Sequence, residues 1–122
     1  MKAMVCTFAL VAIAGESKFK VIKMIISAVI LNIEDLSDEA VVYAKKINGR
    51  FESCSEVVLL ELPEEDLDLS TKDISKKYCP GFEYFLEGFI VKEMVQDMRV
   101  VPDYKTVEQQ VKRVIYYAEF DA

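Results

Sequence analysis

The sequence contains no histidine, and this absence excludes the commonest catalytic chemistry. Without an imidazole, neither a Ser-His-Asp triad nor a Cys-His pair can activate a nucleophile. Histidine-ligated zinc and histidine-ligated haem are excluded for the same reason. The catalytic candidates that we consider for this chain are therefore a thiol, a carboxylate and a tyrosine.

Cysteine and glycine are also scarce, and their spacing excludes further classes of site. Cys6, Cys54 and Cys79 are odd in number and form no CxxC pair, which argues against a disulfide framework and a zinc knuckle. Free thiols are typical of the cytoplasm, so we predict a cytoplasmic protein. The four glycines lie too far apart for GxGxxG or a P-loop. We predict neither a metal site nor a cofactor.

The composition is that of one folded domain. In 122 residues, 52% are hydrophobic, 30% are charged and only three are proline, so we predict a single globular domain over residues 1–122. The net charge of -6 disfavours nucleic acid and anionic lipid as partners. We interpret the basic pair Lys112 and Arg113 as part of a solvated helix face. High apolar content is also typical of oligomer interfaces, and it indicates a dimer.

The first segment, MKAMVCTFALVAIAG, imitates a signal peptide because Ala12-Ile13-Ala14 precedes Gly15. We interpret it instead as a buried strand, since residues 3–14 are apolar on both alternating faces. This pattern predicts a central position in the sheet. The apolar run is also shorter than the roughly 20 residues that span a bilayer, so we predict no membrane association.

Residues 19–33 are ambiguous. Apolar side chains from Val21 to Ile33 recur at helical spacing after Ser17, which suits an N-cap, and they predict a helix. Their β-branching also suits a strand. In that alternative, residues 15–18 form a hairpin turn and the sheet gains a member.

The middle of the chain carries clearer signals. In LSDEAVVYAKKINGRF, a capping Ser37, an acidic first turn and a lysine pair before Gly49 predict a helix from about 38 to 48. SEVVLLEL, which ends at Pro63, predicts a buried strand. PEEDLDLSTKD is interpreted as a solvated acidic connection, because its EF-hand spacing fails at Thr71 and Lys77.

Two further helices are predicted after this connection. Ser70 with Asp73 resembles a capping box for a short helix that ends near Tyr78. Residues 82–98 follow the helical period, and Gly88 within them would allow a close neighbour.

The last segment, residues 104–120, stays open between two structures. Thr106 with Gln109 can open a helix, whereas RVVPDYKTV and VKRVIYYAEF can form a hairpin. Its richness in tyrosine and valine slightly favours strands. Together these elements predict an α+β domain with a small, mostly antiparallel sheet packed against helices.

The stretch YCPGFEYFLEGF holds the candidate ligand-binding residues, which are Cys79, Phe82, Phe85 and Phe89. A thiol at the start of a helix has a pKa below the usual value of about 8.5, which would make Cys79 a redox or nucleophilic thiol. The absence of a histidine base and of an adjacent resolving cysteine favours the alternative, a small buried residue. The aromatic side chains predict either an apolar pocket beside the helix or ordinary core packing.

Four segments in succession resemble a known family. EAVVYAKKINGRFE, VVLLELPEED, CPGFEYFLEGFI and a segment ending in YYAEF are similar to the 4-vinyl reductase domain, a small ligand-binding module, over about residues 39–122. The resemblance implies a cysteine before a long helix and a closing hairpin. The hairpin cysteines of the family are missing here, and Val107 and Ala118 stand near their places. The matching residues are Cys79, Gly88, Phe89, Tyr117, Glu119 and Phe120.

We therefore predict a non-enzymatic binding or assembly module. It would hold a small apolar ligand beside the aromatic helix, or act as a subunit that binds a protein partner or itself. The alternative is a small histidine-independent enzyme that uses Cys79 or a carboxylate–tyrosine pair, drawn for example from Glu83, Glu87, Tyr84 and Tyr116.

Overall fold

A computed structural model describes residues 8–10 and 21–121 of the chain. These residues form an α+β fold in which helices pack against one antiparallel sheet, as predicted. The strands are β1 (Phe8–Leu10), β2 (Val21–Ile25), β3 (Val41–Ala44), β4 (Glu56–Leu60) and β5 (Glu83–Glu87), in the spatial order β1-β2-β4-β3-β5. The helices are α1 (Ile26–Leu31), α2 (Thr71–Tyr78), α3 (Gly88–Arg99) and α4 (Val107–Phe120).

The sheet separates two apolar clusters. The larger cluster contains the buried side chains of α1, α3 and α4, and the smaller one lies under α2. Successive side chains of a strand point to opposite faces. Accordingly, Val42 and Val57 belong to the larger cluster, whereas Tyr43 and Val58 belong to the smaller one. Helices α2 and α4 thus cover opposite faces of the sheet.

The predicted first strand is confirmed at Phe8–Leu10, but its central position is wrong. Strand β1 lies at the edge of the described sheet and pairs with β2. The rest of the predicted strand, the signal-like Ala12–Ala14 segment and the turn at 15–18 lie outside the described residues.

The helix predicted between Val21 and Ile33 is wrong at its start. Residues 21–25 form β2, which pairs with both β1 and β4, and the helix covers only Ile26–Leu31. The strand alternative is therefore right for the first five residues. β-branched side chains fit both periods in so short a run, and pairing with two neighbouring strands decides the outcome.

The helix predicted from 38 to 48 is wrong, because Val41–Ala44 is strand β3. This strand lies between β4 and β5, and Val42, Tyr43 and Ala44 are all buried. Asn48 and Gly49 have φ angles of 55° and 85°, and a bridge joins Ile47 to Arg50. Positive φ at two central residues is typical of a type I′ hairpin, for which Asn-Gly is the strongest signal. The hairpin signal and the helix-end signals predict different structures for the same residues, and the hairpin is the one that forms.

Two predictions for the middle of the chain are confirmed. SEVVLLEL contains β4, which is largely buried. Helix α2 ends at Tyr78, and its N-cap Ser70 accepts a hydrogen bond at Oγ from the Asp73 N–H at 3.1 Å.

The helix predicted over 82–98 begins six residues late, because Glu83–Glu87 is strand β5. Gly88 is the first residue of α3 and donates its N–H to the Ala40 carbonyl at 2.7 Å. A Cβ at this position would lie 2.7 Å from the Ser37 oxygen and 2.8 Å from the Ala40 oxygen. The close neighbour predicted at Gly88 is confirmed, at a strand–helix junction rather than within a helix.

The slight preference for strands in residues 104–120 is wrong, because Val107–Phe120 is helix α4. Thr106 Oγ1 accepts from the Gln109 N–H at 3.1 Å, and Gln109 Oε1 accepts from the Thr106 N–H at 3.0 Å. This complete capping box is the signal that predicted the helical alternative. Within the described residues, no helix has the length and apolarity needed to cross a bilayer.

Candidate functional site

The four predicted ligand-binding residues do not share one surface. Phe85 lies in the larger cluster, where its ring centroid is 4.9 Å from that of Phe51 in an edge-on contact. Cys79 and Phe82 belong to the smaller cluster on the other face of the sheet. Phe89 is exposed on α3. The structure therefore does not bring these residues together in one pocket, and a ligand-binding role for them stays a prediction.

The core around Phe85 is filled. The gap that it borders has no room for a water molecule, and the side chains around it come from α1, α3 and the sheet, namely Ile26, Val29, Ile30, Val42, Val57 and Val91. An apolar ligand has no space at this place.

Cys79 does not begin a helix. It follows α2 as the C-cap residue, so the electropositive end of that helix lies at Ser70, far from the thiol. Cys79 is 5% exposed, and burial raises the pKa of its thiol to about 11. The lowered pKa considered for a reactive thiol is wrong, and the favoured interpretation of Cys79 as a small buried residue is confirmed.

The smaller cluster that contains this thiol also contains the buried Tyr43 and the partly buried Tyr84. Tyr43 is fully buried, and burial is the main cause that raises its pKa to about 12. Tyr84 contacts Tyr43 edge-on and donates a hydrogen bond from Oη to Glu87 Oε2 at 3.4 Å. Burial, followed by the Glu87 charge, raises the pKa of Tyr84 as well. Cys79, Tyr43 and Tyr84 are therefore protonated at neutral pH, and none of these three groups is a base.

The prediction of a solvated acidic connection is wrong at Asp66. It is buried at the end of a short 3-10 helix, Glu64–Asp66, and accepts hydrogen bonds from Lys77 Nζ at 3.0 and 3.1 Å and from Tyr78 Oη. These bonds, first from Tyr78 and then from Lys77, hold the pKa of the Asp66 carboxyl below its usual value. Across residues 8–10 and 21–121, no three acidic or cysteine side chains are placed to hold a metal ion.

A surface cleft that the sequence did not predict lies between the 47–52 hairpin and the C-terminal half of α4. Its volume is about 180 Å³, and it is lined by Arg50, Phe51, Glu52, Lys112, Ile115, Tyr116, Glu119 and Phe120. Phe51, which lines the cleft, makes two contacts. Glu119 Oε2 accepts from the Phe51 N–H at 2.9 Å, and Lys46 Nζ lies 5.1 Å from the centroid of the Phe51 ring.

The outer side of α4 carries an exposed aromatic pair. Tyr116 is 52% exposed and Phe120 is 62% exposed, and their ring centroids are 4.7 Å apart. The Arg113 guanidinium lies 5.7 Å from the Tyr116 centroid. The surface formed by Lys112, Arg113, Tyr116, Glu119 and Phe120 is called the α4 face below. A signal for it existed in the sequence, since residues four apart share a helix face.

Two cations line the cleft. Arg50 and Lys112 both belong to its lining, and neither forms an ion pair with another residue in the 21–121 range. They lie beside aromatic rings in a chain whose net charge is -6. The cleft thus combines apolar surface with unpaired positive charge.

No protein-family model, curated protein or solved structure matches this chain. The resemblance to the 4-vinyl reductase domain stays a prediction. The closing hairpin that it implied is replaced by α4.

Proposed function

We propose that this chain is a non-enzymatic binding module that contacts a partner protein through the α4 face and the adjoining cleft. The observation that carries the proposal is the exposed Tyr116–Phe120 pair beside a cleft whose lining includes Arg50 and Lys112. Tyrosine, phenylalanine and arginine are enriched in the buried centres of protein interfaces, and a few such residues supply most of the binding energy.

The size of the cleft favours a protein partner over a small molecule. Pockets for small ligands usually enclose about 300–1,000 Å³ and bury most of the ligand. The cleft of about 180 Å³ is smaller and is open along α4. A space of this size suits one side chain of a partner whose other residues lie along the α4 face.

The alternative of a histidine-independent enzyme gains little support from the same side chains. A nucleophilic cysteine needs an accessible thiolate, whereas Cys79 is buried with a thiol pKa of about 11. The hydrogen-bonded pair Tyr84 and Glu87 has a tyrosine pKa that is raised rather than tuned towards neutrality.

Site-specific photo-crosslinking tests the proposal. The photoreactive residue p-benzoylphenylalanine replaces Tyr116 in one sample and the exposed Lys76 of α2 in a matched control, and both are irradiated in a lysate of the source organism. We expect a protein adduct from position 116 and none from position 76. The adduct partner, once purified, should bind the unmodified chain, and Phe120→Ser should weaken that binding by about tenfold or more.

Two results would contradict the proposal. One is the absence of any protein adduct at position 116. The other is an adduct partner whose affinity for the purified chain is unchanged by Phe120→Ser, because the aromatic pair would then contribute nothing to the contact.

A further inference from the structure

We infer that the partner at the α4 face is a second copy of this chain, with the two α4 helices antiparallel around a two-fold axis beside Tyr116. The inference rests on the proposed function, since it names the partner for the same surface. Its basis is the order of charges and rings along α4, which makes this face complementary to itself.

The first step is the position of Tyr116 on the helix. Successive residues of an α-helix are about 100° apart around the axis, so Tyr116 lies about 200° from Val114. Val114 and Val111 are buried against the core. Tyr116 therefore points away from the protein and is the centre of the outward side of α4.

The second step is the arrangement of the flanking residues. Lys112 and Arg113 lie in the turn before Tyr116, and Glu119 and Phe120 lie in the turn after it. The same 100° step places Lys112 and Glu119 on one side of Tyr116, and Arg113 and Phe120 on the other. Each side thus carries a cation at one end and an anion or an aromatic ring at the other.

The third step is the symmetry. A two-fold axis between antiparallel helices reverses the direction along the helix and keeps the side, and every contact occurs twice. Lys112 then faces Glu119 of the second copy, and Arg113 faces the ring of Phe120 of the second copy. Tyr116 meets its own equivalent. The first contact is an ion pair and the second is a cation–π contact.

The net charge of each copy weakens this association. Each copy carries -6, so the two molecules repel each other at long range and the opposite charges of the α4 face must offset that repulsion. A contact built on one helix and the rim of a cleft is smaller than a standard interface. Dimerisation should therefore depend on concentration.

Sedimentation velocity over about 5 to about 500 µM protein tests the inference. The unmodified chain should shift from 13.9 kDa towards twice that mass as concentration rises. Lys112→Glu places two glutamates opposite each other at both symmetric positions, and Glu119→Lys does the same with two lysines. Each variant alone should stay monomeric. An equimolar mixture should form dimers again, because both ion pairs are restored in the heterodimer.

Matched variants separate this pairing from general charge effects and from loss of the fold. Lys76→Glu makes the same charge change on α2, across the sheet, and should dimerise as the unmodified chain does. Glu119→Lys also removes the acceptor for the Phe51 N–H, so its folded state is verified by its circular dichroism melting curve. Should it fail to fold, Lys112→Glu and Tyr116→Asp carry the test, and both should be monomeric.

Three results would overturn the inference, namely a 13.9 kDa monomer at every concentration, a dimer that Lys112→Glu leaves intact, or two folded variants whose mixture stays monomeric. A monomeric chain that crosslinks at position 116 to a different protein would leave the proposed function standing and remove only the self-pairing. Absence of both dimer and adduct would remove both.

Discussion

Helices α2 and α4 carry the same kinds of polar residue on opposite faces of the sheet, yet they use them differently. On α2, Lys77 and Tyr78 both donate hydrogen bonds to the buried Asp66. On α4, Lys112 and Tyr116 are exposed and Glu119 accepts from the Phe51 backbone. The α2 side chains form hydrogen bonds within the fold. On α4, by contrast, the Lys112 cation and the Tyr116 ring remain at the surface.

This difference separates a structural contact from the proposed binding surface. The Asp66 carboxylate links the segment before α2 to the C-terminal end of that helix, because it accepts hydrogen bonds from the consecutive residues Lys77 and Tyr78. On the α4 face, the Tyr116 and Phe120 rings are 52% and 62% exposed. Residue type alone therefore does not distinguish the two, whereas the hydrogen bonds that Lys77 and Tyr78 donate to Asp66 do.

The largest effect is expected when apolar side chains are truncated on the two helices. Ile74→Ala removes a buried anchor of α2 and should lower the free energy of unfolding by about 2–5 kcal/mol. Phe120→Ala removes a larger side chain that is mostly exposed, and should change it by less than about 0.5 kcal/mol in the monomer. Urea unfolding at low protein concentration measures both. Equal losses would mean that Phe120 belongs to the core of the fold.

A second contrast concerns the thiols. Cys54 is exposed, whereas Cys79 is buried under α2 with a thiol pKa of about 11. In a Cys6→Ser background at pH 7.5, we expect Cys54 to react with a thiol reagent at least about 100-fold faster than Cys79, because the thiolate is the nucleophile. Denaturant should abolish the difference. Fast labelling of Cys79 in the folded protein would contradict its burial and reopen the enzyme alternative.

A smaller effect is expected from removing one hydroxyl on each helix. Tyr78→Phe loses the hydrogen bond to Asp66 and should cost about 1 kcal/mol of stability. Tyr116→Phe makes the same chemical change on the exposed α4 face and should cost about 0 kcal/mol. Thermal melts of the two variants, run side by side, measure this difference. A larger loss for Tyr116→Phe would place its hydroxyl in a contact within the fold.

Local signals in the sequence predicted those parts of the fold where one interpretation had no competitor. Strand β4 and helix α2 belong to this class. Residues 38–48 carry both helix-end signals and the Asn48-Gly49 hairpin signal, and pairing of Val41–Ala44 between two strands decided between them. Residues 83–87 are too short to separate a strand period from a helical one.

The candidate site was less predictable, because it depends on boundaries and exposure. Placing a helix start near Phe82 put Cys79 at a positive helix end, and the actual boundary puts it at the opposite end of α2. Aromatic residues such as Tyr116 and Phe120 are usually counted as core. The burial of Val111 and Val114 in the larger cluster turns the aromatic pair outward.

The smallest effect is expected when Asp66 loses its charge. Its folded pKa lies below the unfolded value of about 3.9, so its ionised form stabilises the fold above that pH, and this contribution is lost as the pH falls through the folded pKa. The effect is small because Lys77 is 54% exposed and screened by solvent, and a protonated Asp66 can still accept from Tyr78. Asp66→Asn should therefore melt lower than the unmodified chain at pH 7, and the two melting temperatures should converge as the pH falls through the folded pKa of Asp66. If the difference between the two melting temperatures stays constant in acid, the packing of the Asp66 side chain, and not its charge, stabilises the fold at this position.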